Sequence, residues 1–387
     1  MPARPISVVW SPRLQAYNPS DDVERPVRRG LAWELLVSGG LLGHDGVEVT
    51  DPPGATDDEI ARIHAPAYIR AVKRYSANPV LAHEWVAGQW GFVPGQDTVA
   101  RPGMHDAASD VCGAAMAGAR AVWEGPGRAL CPAPAGLHHA LSNRAAGFCI
   151  YNDSALAVRE LLDLGARRVA HIDLDAHHGD GVQWIYYEDP RVLTVSVHEK
   201  APGFFPGTGG LDERGAGDGF GTAVNIPLPP FAGDGPYLAA IERVVVPAVR
   251  DFAPDAIVTH LGADVHHEDP LAHLRVTIDG LERAYAALSE LADDAAGGRW
   301  LDISGGGYNP MTLGRIWALQ LGALRCASPP DALPNEWRET VRDALRAEPP
   351  ATLREDAPPS VHTDRAADGD RVGMDAVARA AALLGVA

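Results

Sequence analysis

The sequence predicts an α/β protein with an open, mostly parallel sheet flanked by helices. Short apolar runs rich in β-branched residues alternate along the chain with longer stretches of helical periodicity. Runs of this kind that end at Gly, Asp or His are typical of buried parallel strands, and their alternation with helices is typical of doubly wound sheets. The residues with the most distinctive side-chain chemistry follow directly after these runs, which indicates where a functional site would lie.

Five of the apolar runs are predicted as strands, at residues 6–10, 168–174, 191–197, 255–261 and 299–304. Helical periodicity is clearest at residues 154–165 and 237–252. In open α/β sheets the ligand lies beyond the carboxyl ends of the strands. We therefore expect the functional residues in the loops that follow the predicted strands.

The chain is long enough for more than one hydrophobic core. Its 387 residues exceed the ~250–300 residues at which single cores usually stop growing. Strand signals end before residue 328, and the sequence after it is rich in Pro and in charged residues. We predict one large domain over residues 1–327 and a C-terminal extension over residues 328–387, helical at 376–384 and mobile around 347–371.

Composition and charge exclude several classes of protein. The net charge is −18, and no Lys/Arg cluster is visible that would release counterions from phosphates, so nucleic-acid binding is not expected. No apolar stretch approaches the ~20 residues of a membrane helix, and the first residues lack the apolar region of a signal peptide. The four cysteines show no paired spacing. We therefore expect a soluble, cytoplasmic protein without disulfides.

The densest group of candidate functional residues follows the second predicted strand. Strand alternation places Asp173 and Asp175 on the same side of the chain, and His177 follows as the chain turns. Two carboxylates and an imidazole suit a borderline divalent cation such as Zn²⁺ or Fe²⁺. A surface acidic turn is the alternative interpretation.

Asp264 ends another predicted strand in the same topological position. A single Asp after a strand is more often a turn residue or a helix cap. Asp264 is therefore a candidate metal ligand only because of the group formed by Asp173, Asp175 and His177. Together, Asp175, His177 and Asp264 would provide three protein ligands and leave an open position for water. That pattern is typical of catalytic rather than structural metal sites.

Two adjacent histidines, His138 and His139, would suit acid–base chemistry beside such a metal, although adjacent histidines are usually accidental. Hydrolysis needs one group that takes a proton from water and another that gives a proton to the leaving amine. Histidine suits both tasks because its pKa lies near neutrality. Asp173 and Asp180 are available as the carboxylate partners that would fix the tautomers of the two rings.

Tyr308 follows three consecutive glycines after the last predicted strand. One interpretation is a tight turn with a packed aromatic ring, and the other is a hydroxyl that donates to an oxyanion opposite the metal. A phosphate-binding loop is disfavoured because the Walker lysine and the GxGxxG spacing are both missing. The loop at 202–209 is rich in Phe, Pro and Gly; together with Phe148, it would form the walls of a narrow apolar channel, if the loop is not purely structural.

In their order and spacing, six motifs resemble those of the zinc-dependent histone deacetylase family, most closely its bacterial acetoin-utilisation branch. The motifs are GLHHA, GFCIYND, DLDAHHGDGVQ, PGFFPGTG, LGAD and GGGY. The resemblance extends from about residue 6 to residue 325, and Ser304 departs from it where many relatives have a fourth glycine. It implies the arginase/deacetylase α/β fold and hydrolysis of an N-acetyl amide on a lysine side chain.

The resemblance also implies a role for each matching residue. The metal ligands would be Asp175, His177 and Asp264. The base and acid pair would be His138 and His139, with Asp173 and Asp180 as their carboxylate partners. Tyr308 would polarise the acetyl carbonyl. The tunnel for the acyl-lysine would have Phe148, Phe205 and Leu271 as walls and Gly147 as floor, and Asp97 would hold the substrate backbone at the rim. A structural K⁺ ion would lie near Asp173, Asp175, His177 and Ser196.

An acetylated protein, and for bacterial members an acyl-CoA synthetase, is the substrate that the family implies. The alternative is a deacetylase of acetylpolyamines, which shares the fold and the metal site. Relatives that prefer polyamines carry a glutamate at the position of Leu271, so Leu271 favours acetyl-lysine, whereas the nearby Glu268 keeps the alternative open. An arginase-like site with two manganese ions and a module that only binds acetyl-lysine are both disfavoured, because one complete ligand set, both histidines and Tyr308 are present.

Overall fold

The computed structural model describes residues 3–18, 20, 26–83, 85–93, 97–132, 136–354 and 363–385. Within these residues eight strands form one sheet: β1 (Ile6–Val9), β2 (Val47–Thr50), β3 (Arg128–Cys131), β4 (Val169–Asp173), β5 (Val192–Glu199), β6 (Ala223–Leu228), β7 (Ala256–Leu261) and β8 (Trp300–Ser304). Their order across the sheet is β2-β1-β3-β8-β7-β4-β5-β6, and the paired strands are parallel. The predicted fold class, a parallel open sheet flanked by helices, is confirmed.

The described helices are α1 (Pro26–Ser38), α2 (Asp57–Ile60), α3 (Pro66–Ala77), α4 (Met104–Glu124), α5 (Asp153–Asp163), α6 (Asp180–Ile185), α7 (Asp234–Ala240), α8 (Val246–Phe252), α9 (Ile278–Ala296), α10 (Leu313–Arg325), α11 (Asn335–Leu345) and α12 (Thr363–Leu384). A single π-helical turn, Ile241–Val245, joins α7 to α8. None of the helices in the described part of the chain is both long and apolar enough to cross a bilayer.

All five predicted strands are confirmed, as β1, β4, β5, β7 and β8. Every residue of β4, β5 and β7 is buried, which explains why apolar or β-branched residues make up most of each strand, since both faces of a parallel sheet are covered. The strands β2, β3 and β6 were not predicted. The strand β2 is partly exposed, β3 contains no β-branched residue, and β6 contains Pro227, which is tolerated there because β6 is an edge strand.

The C-terminal extension contains more helix than the sequence predicted. The predicted helix at 376–384 is the second half of α12, which begins at Thr363, so residues 363–371 of the segment predicted to be mobile are helical. Before it, α11 buries Trp337, whose indole N–H donates to the carbonyl of Leu31 (2.8 Å). Leu353 is also buried. Residues 355–362, the centre of the segment predicted to be mobile, lie outside the described residues.

The first half of α12 was missed because its buried face is made of glycine rather than of large apolar residues. The buried positions along the helix are Gly369, Gly373, Ala376, Val377, Ala380 and Ala381. This spacing follows one face of a helix, but glycines give it no hydrophobic signal. Through this face α12 packs on β6 and α7, and it thereby covers one edge of the sheet.

Candidate active site

The predicted metal ligands and Tyr308 follow the carboxyl ends of three adjacent strands, β4, β7 and β8, and the pair His138 and His139 follows β3, the other neighbour of β8. Asp173 is the last residue of β4, and Asp175 and His177 follow in the next turn. Asp264 lies in the turn after β7, and Tyr308 lies in the glycine-rich loop after β8. Parallel strands end at the same edge of a sheet, so side chains that are far apart in sequence meet here.

Asp175, His177 and Asp264 form a group that could hold a metal ion. The His177 Nδ1 atom lies 3.1 Å from Asp175 Oδ1 and 3.0 Å from Asp264 Oδ2. The other carboxylate oxygens are anchored: Asp175 Oδ2 accepts from the Gly306 amide (2.9 Å), and Asp264 Oδ1 accepts from the Ala176 amide (2.9 Å). Each carboxylate therefore presents one oxygen to a point shared with the imidazole nitrogen.

The electrostatics of this group favour a cation. Burial and the neighbouring Asp175 raise the pKa of Asp264 to about 8. Burial opposes ionisation of Asp175 as well, yet hydrogen bonds from His177 and His260 hold the pKa of Asp175 well below its usual value. Two buried carboxylates repel each other unless a positive charge lies between them. Two oxygens and one nitrogen are also the donor types that suit a borderline divalent ion, so the residues fit such an ion.

A second group of possible ligands consists of His138, Asp175 and His260. The rings of His138 and His260 are stacked, with centroids 4.1 Å apart and an interplanar angle of 10°. An imidazole binds a metal through a lone pair in its ring plane, and stacked rings cannot direct those lone pairs at a common ion. The geometry therefore favours Asp175, His177 and Asp264 over this second group as the ligands of a metal ion.

The two predicted acid–base histidines each pair with the predicted carboxylate. His138 Nδ1 lies 2.7 Å from Asp173 Oδ2, and His139 Nδ1 lies 2.6 Å from Asp180 Oδ1. Burial, together with the nearby His139 and His260, lowers the pKa of His138 to about 4, and burial also lowers the pKa of His139. Both rings are therefore neutral near pH 7, and the Nδ1 contacts fix their orientation and leave Nε2 as the proton-transfer atom.

Tyr308 is held by its backbone and by the residues around its loop. Its amide donates to Asp269 Oδ2 (2.8 Å), and Asp269 Oδ1 accepts from the Leu271 amide (2.9 Å). Arg28 donates to the carbonyl of Gly307, and its guanidinium carbon lies 4.9 Å from the centre of the Tyr308 ring. One buried carboxylate thus ties together the loops that carry Tyr308 and Leu271.

Aromatic side chains lie around the histidine pair. The Phe205 ring meets His139 edge to face, with centroids 4.8 Å apart, and the Phe148 ring lies 6.3 Å from Tyr308. Gly147 lies against this group: a Cβ atom added there would lie 2.4 Å from His139 Cδ2, and its φ of 53° also favours glycine. A cleft whose lining includes His139, Gly147, Phe148 and Tyr308 has a volume of about 530 Å³, its open mouth included.

The remaining predicted residues lie near the cleft. Asp97 Oδ2 accepts from the Gly147 amide (3.1 Å), so in this structure it anchors the residue predicted as the tunnel floor. Leu271 is half-buried. Ser196 lies beside Asp173 in the register of β4 and β5, and the Ser196 Oγ atom is 2.9 Å from His198 Nδ1.

The sequence analysis missed several residues of the site, namely Arg28, Phe204, His260 and Asp269. The Phe204 ring stacks on His177, with centroids 4.9 Å apart; it is the neighbour of Phe205, so the same motif contained it. His260 was detectable as a histidine inside an otherwise apolar strand. Nothing in the local sequence marks Arg28, because α1 reaches the site only through the tertiary fold.

Comparisons with known proteins agree with this geometry. Residues 22–324 match the histone deacetylase domain. The chain is 36% identical over 337 residues to the acetoin utilization protein AcuC of Bacillus subtilis, covering 85% of this chain and 84% of that protein. It is 39% identical over 313 residues to AcuC of Staphylococcus xylosus, covering 80% of each chain. The crystal structure of the HDA15 HD domain aligns with a TM-score of 0.74 and 27% identity, over 89% of this chain and 94% of that one.

The matched region contains the ends of β4, β7 and β8 and every predicted site residue. Both identities to the AcuC proteins exceed one third over most of each chain. The chain therefore belongs to the histone deacetylase family, in its bacterial acetoin-utilisation branch, and is a hydrolase of the deacetylase type.

Proposed function

We propose that this deacetylase hydrolyses the acetyl amide on the ε-amine of lysine side chains in proteins, with one divalent cation held by Asp175, His177 and Asp264. The observation that carries the proposal is the placement of this three-residue group beside two neutral histidines and the aromatic rings of Phe204 and Phe205. Zn²⁺ is the proposed metal, because the donors are one nitrogen and two oxygens, and Fe²⁺ is the alternative.

A bound divalent ion supplies Lewis-acid polarisation of the acetyl carbonyl and lowers the pKa of water. His138 and His139 then act as the base and acid pair through their Nε2 atoms. One ring takes a proton from the attacking water, and the other gives a proton to the amine as the C–N bond breaks. The products are acetate and a free lysine side chain.

Asp173 and Asp180 support the two histidines differently. Burial opposes ionisation of Asp173, but His138 and His260 hold its pKa below the usual value, so Asp173 stabilises a proton on His138. Burial raises the pKa of Asp180 to about 6, and its Oδ1 atom lies 2.6 Å from Nδ1 of its partner His139. The Tyr308 hydroxyl donates to the oxyanion that forms on the acetyl oxygen.

A linear acyl-lysine suits the cleft because its walls are aromatic and its floor is a glycine. Phe148, Phe205 and Leu271 would contact the methylene chain of the substrate, and Gly147 leaves room beside His139. Asp97 would hold the substrate backbone at the rim. A structural K⁺ ion near Asp173, Asp175, His177 and Ser196 belongs to the same proposal; the register of β4 and β5, which pairs Asp173 with Ser196, supports it.

A second candidate substrate is an acetylpolyamine. Glu268 is exposed in the loop that also carries Leu271, and its carboxylate would attract a cationic chain. Leu271 itself is apolar, and this favours an acetyl-lysine within a peptide. An acyl-CoA synthetase with an acetylated lysine is the proposed kind of protein partner.

The deciding experiment compares kcat/KM for an acetyl-lysine peptide and for N-acetylputrescine, with metal-stripped enzyme reloaded with Zn²⁺. We expect a preference for the peptide of at least about tenfold. The matched variants are Leu271→Glu, which should raise the relative kcat/KM for N-acetylputrescine, and Glu268→Gln, which should leave the peptide reaction unchanged. Preference of the wild-type enzyme for N-acetylputrescine, abolished in Glu268→Gln, would replace protein deacetylation by polyamine deacetylation.

A further inference from the structure

His260 lies directly beneath the proposed metal site, yet neither the ligand set nor the acid–base pair includes it. It is the penultimate residue of β7, is fully buried, and pairs in register with Asp173 of β4. A fully buried imidazole in the middle of a parallel sheet needs a polar partner. The partner of His260 is Asp175.

The contact between His260 and Asp175 has a defined direction. His260 Nε2 lies 3.2 Å from Asp175 Oδ2, the oxygen that also accepts from the Gly306 amide. Because an ionised carboxylate only accepts hydrogen bonds, Nε2 carries the proton and donates. Two donors thus hold Oδ2 away from the shared point, and Oδ1 remains beside His177 Nδ1 at 3.1 Å.

The surroundings of the His260 ring leave it no other position. One face stacks on His138. A Cβ atom added at Gly305 would lie 2.5 Å from Nε2, and one added at Gly136 would lie 2.2 Å from Cε1, so the backbone passes close to both edges of the ring. The donor is therefore rigidly oriented toward Asp175.

We propose that His260 is a positioning residue for the metal, which it affects through the outer oxygen of Asp175. Ligand carboxylates and imidazoles that are themselves hydrogen-bonded bind metals more tightly, because the bond fixes which atom faces the ion. This inference rests on the proposed metal-dependent function. The new statement is that the affinity of the site for its metal ion depends on an N–H donor at residue 260.

Two substitutions distinguish the effect of the N–H donor of His260 from the effect of its ring. His260→Gln keeps an N–H group at the reach of Nε2 but removes the ring that stacks on His138. His260→Phe keeps a flat ring of similar size but removes the donor. His171→Gln is the matched control, since His171 is a buried histidine on the neighbouring β4 that pairs in register with Val258.

The experiment measures the dissociation constant for Zn²⁺ of each full-length, metal-stripped protein by competition with a chromophoric chelator, and records the visible absorption of the Co²⁺-loaded forms. We expect His260→Phe to bind Zn²⁺ about 10- to 100-fold more weakly than wild type and to show altered Co²⁺ bands. His260→Gln and His171→Gln should bind like wild type. Thermal melting establishes that each variant is folded; if His260→Phe is not, His260→Asn, whose amide is too short to reach Asp175, takes its place.

The measured Zn²⁺ affinities test the role of His260 and the proposed function separately. Equal Zn²⁺ affinity of wild type and the donor-free variant overturns the inference and leaves the proposed function intact. Weak binding by both His260→Gln and His260→Phe also overturns it, because packing rather than the donor would then control affinity. Failure of the wild-type protein to bind Zn²⁺ would instead contradict the proposed function itself.

Discussion

Tyr308 illustrates how a single functional residue depends on contacts from distant segments. Its amide is held by Asp269 and its ring lies beside Arg28, residues from two other parts of the chain. A Tyr308→Phe variant keeps the amide and the ring that make these two contacts. We therefore expect the loop to keep its position when the hydroxyl is removed.

We predict that Tyr308→Phe lowers kcat by at least about 10²-fold, because the oxyanion loses a hydrogen-bond donor in a site shielded from water. The Zn²⁺ content after reloading should equal that of wild type, since Tyr308 is not one of the proposed ligands. Steady-state kinetics on an acetyl-lysine peptide, with metal analysis of the same samples, tests this. Near-normal turnover of the metal-loaded variant would contradict the role assigned to the hydroxyl.

At the scale of the element, β8 carries a buried acid that the proposed chemistry does not use. Asp302 is fully buried in this central strand, and its Oδ1 accepts from the Thr259 hydroxyl on β7 (2.9 Å). The Trp300 indole donates to the same hydroxyl oxygen (2.9 Å). Burial raises the pKa of Asp302 to about 8, so the carboxyl is protonated in the folded protein near neutral pH.

The raised pKa of Asp302 makes the stability of the folded protein depend on pH. The unfolded chain releases the proton near the ordinary pKa of 3.8, whereas the folded protein keeps it up to about 8. Between these values the folded state binds more protons, so the free energy of unfolding falls as the pH rises. We predict that Asp302→Asn, which does not titrate, gains stability relative to wild type between about pH 5 and pH 8.

Thermal melting of both proteins across this pH range measures the effect, with Asp343→Asn on the exposed surface of α11 as the control. The difference in Tm between Asp302→Asn and wild type should grow with pH, and that for Asp343→Asn should not. A constant difference for Asp302→Asn would show that the buried carboxyl does not contribute to the pH dependence.

At the scale of the whole molecule, the C-terminal helix is connected to the active site through a series of packed rings. Asp370 of α12 accepts from the Gly233 amide (2.8 Å), close to Phe231. The Phe231 ring lies 6.2 Å from His273, which in turn lies 6.0 Å from Phe204, the ring that stacks on the proposed ligand His177. The extension therefore supports one wall of the cleft.

Gly369 packs closely against the backbone of Phe231. A Cβ atom there would lie 2.7 Å from the carbonyl carbon of Phe231, which is backbone and cannot move aside cheaply. We predict that Gly369→Val destabilises the protein by about 1–3 kcal/mol, as expected for overpacking, and raises KM for the peptide. The control is Gly235→Ala on α7, where an added Cβ meets no atom within 4 Å.

Thermal melting and peptide kinetics of the two variants provide the comparison. A Tm of Gly369→Val equal to that of the control would mean that α12 does not pack as closely as described. A lowered Tm with an unchanged KM would show that the helix contributes to stability but not to the cleft.

The buried strands that could be predicted from the sequence are those rich in β-branched residues. Apolar or β-branched residues make up most of β4, β5 and β7, as is typical of parallel strands buried on both faces, whereas β3 is equally buried but contains no β-branched residue. In contrast, β2 has a half-exposed pattern and β6 contains a proline, and both form because a neighbouring strand supplies the hydrogen bonds. A short edge strand has no such local signal.

The same distinction applies to the site. Asp173, Asp175 and His177 lie within five positions of one another, so strand alternation was sufficient to group them, and motif order added Asp264, His138, His139 and Tyr308. The chain itself thus specified the fold class and the candidate ligands. Only the tertiary structure decided which oxygen of Asp175 faces the shared point. It also decided that His260 holds Asp175 and that Asp269 holds the Tyr308 loop, because these contacts join strands and loops remote in sequence. Hydrogen-bond direction is a property of the folded contacts, and residue order does not encode it locally.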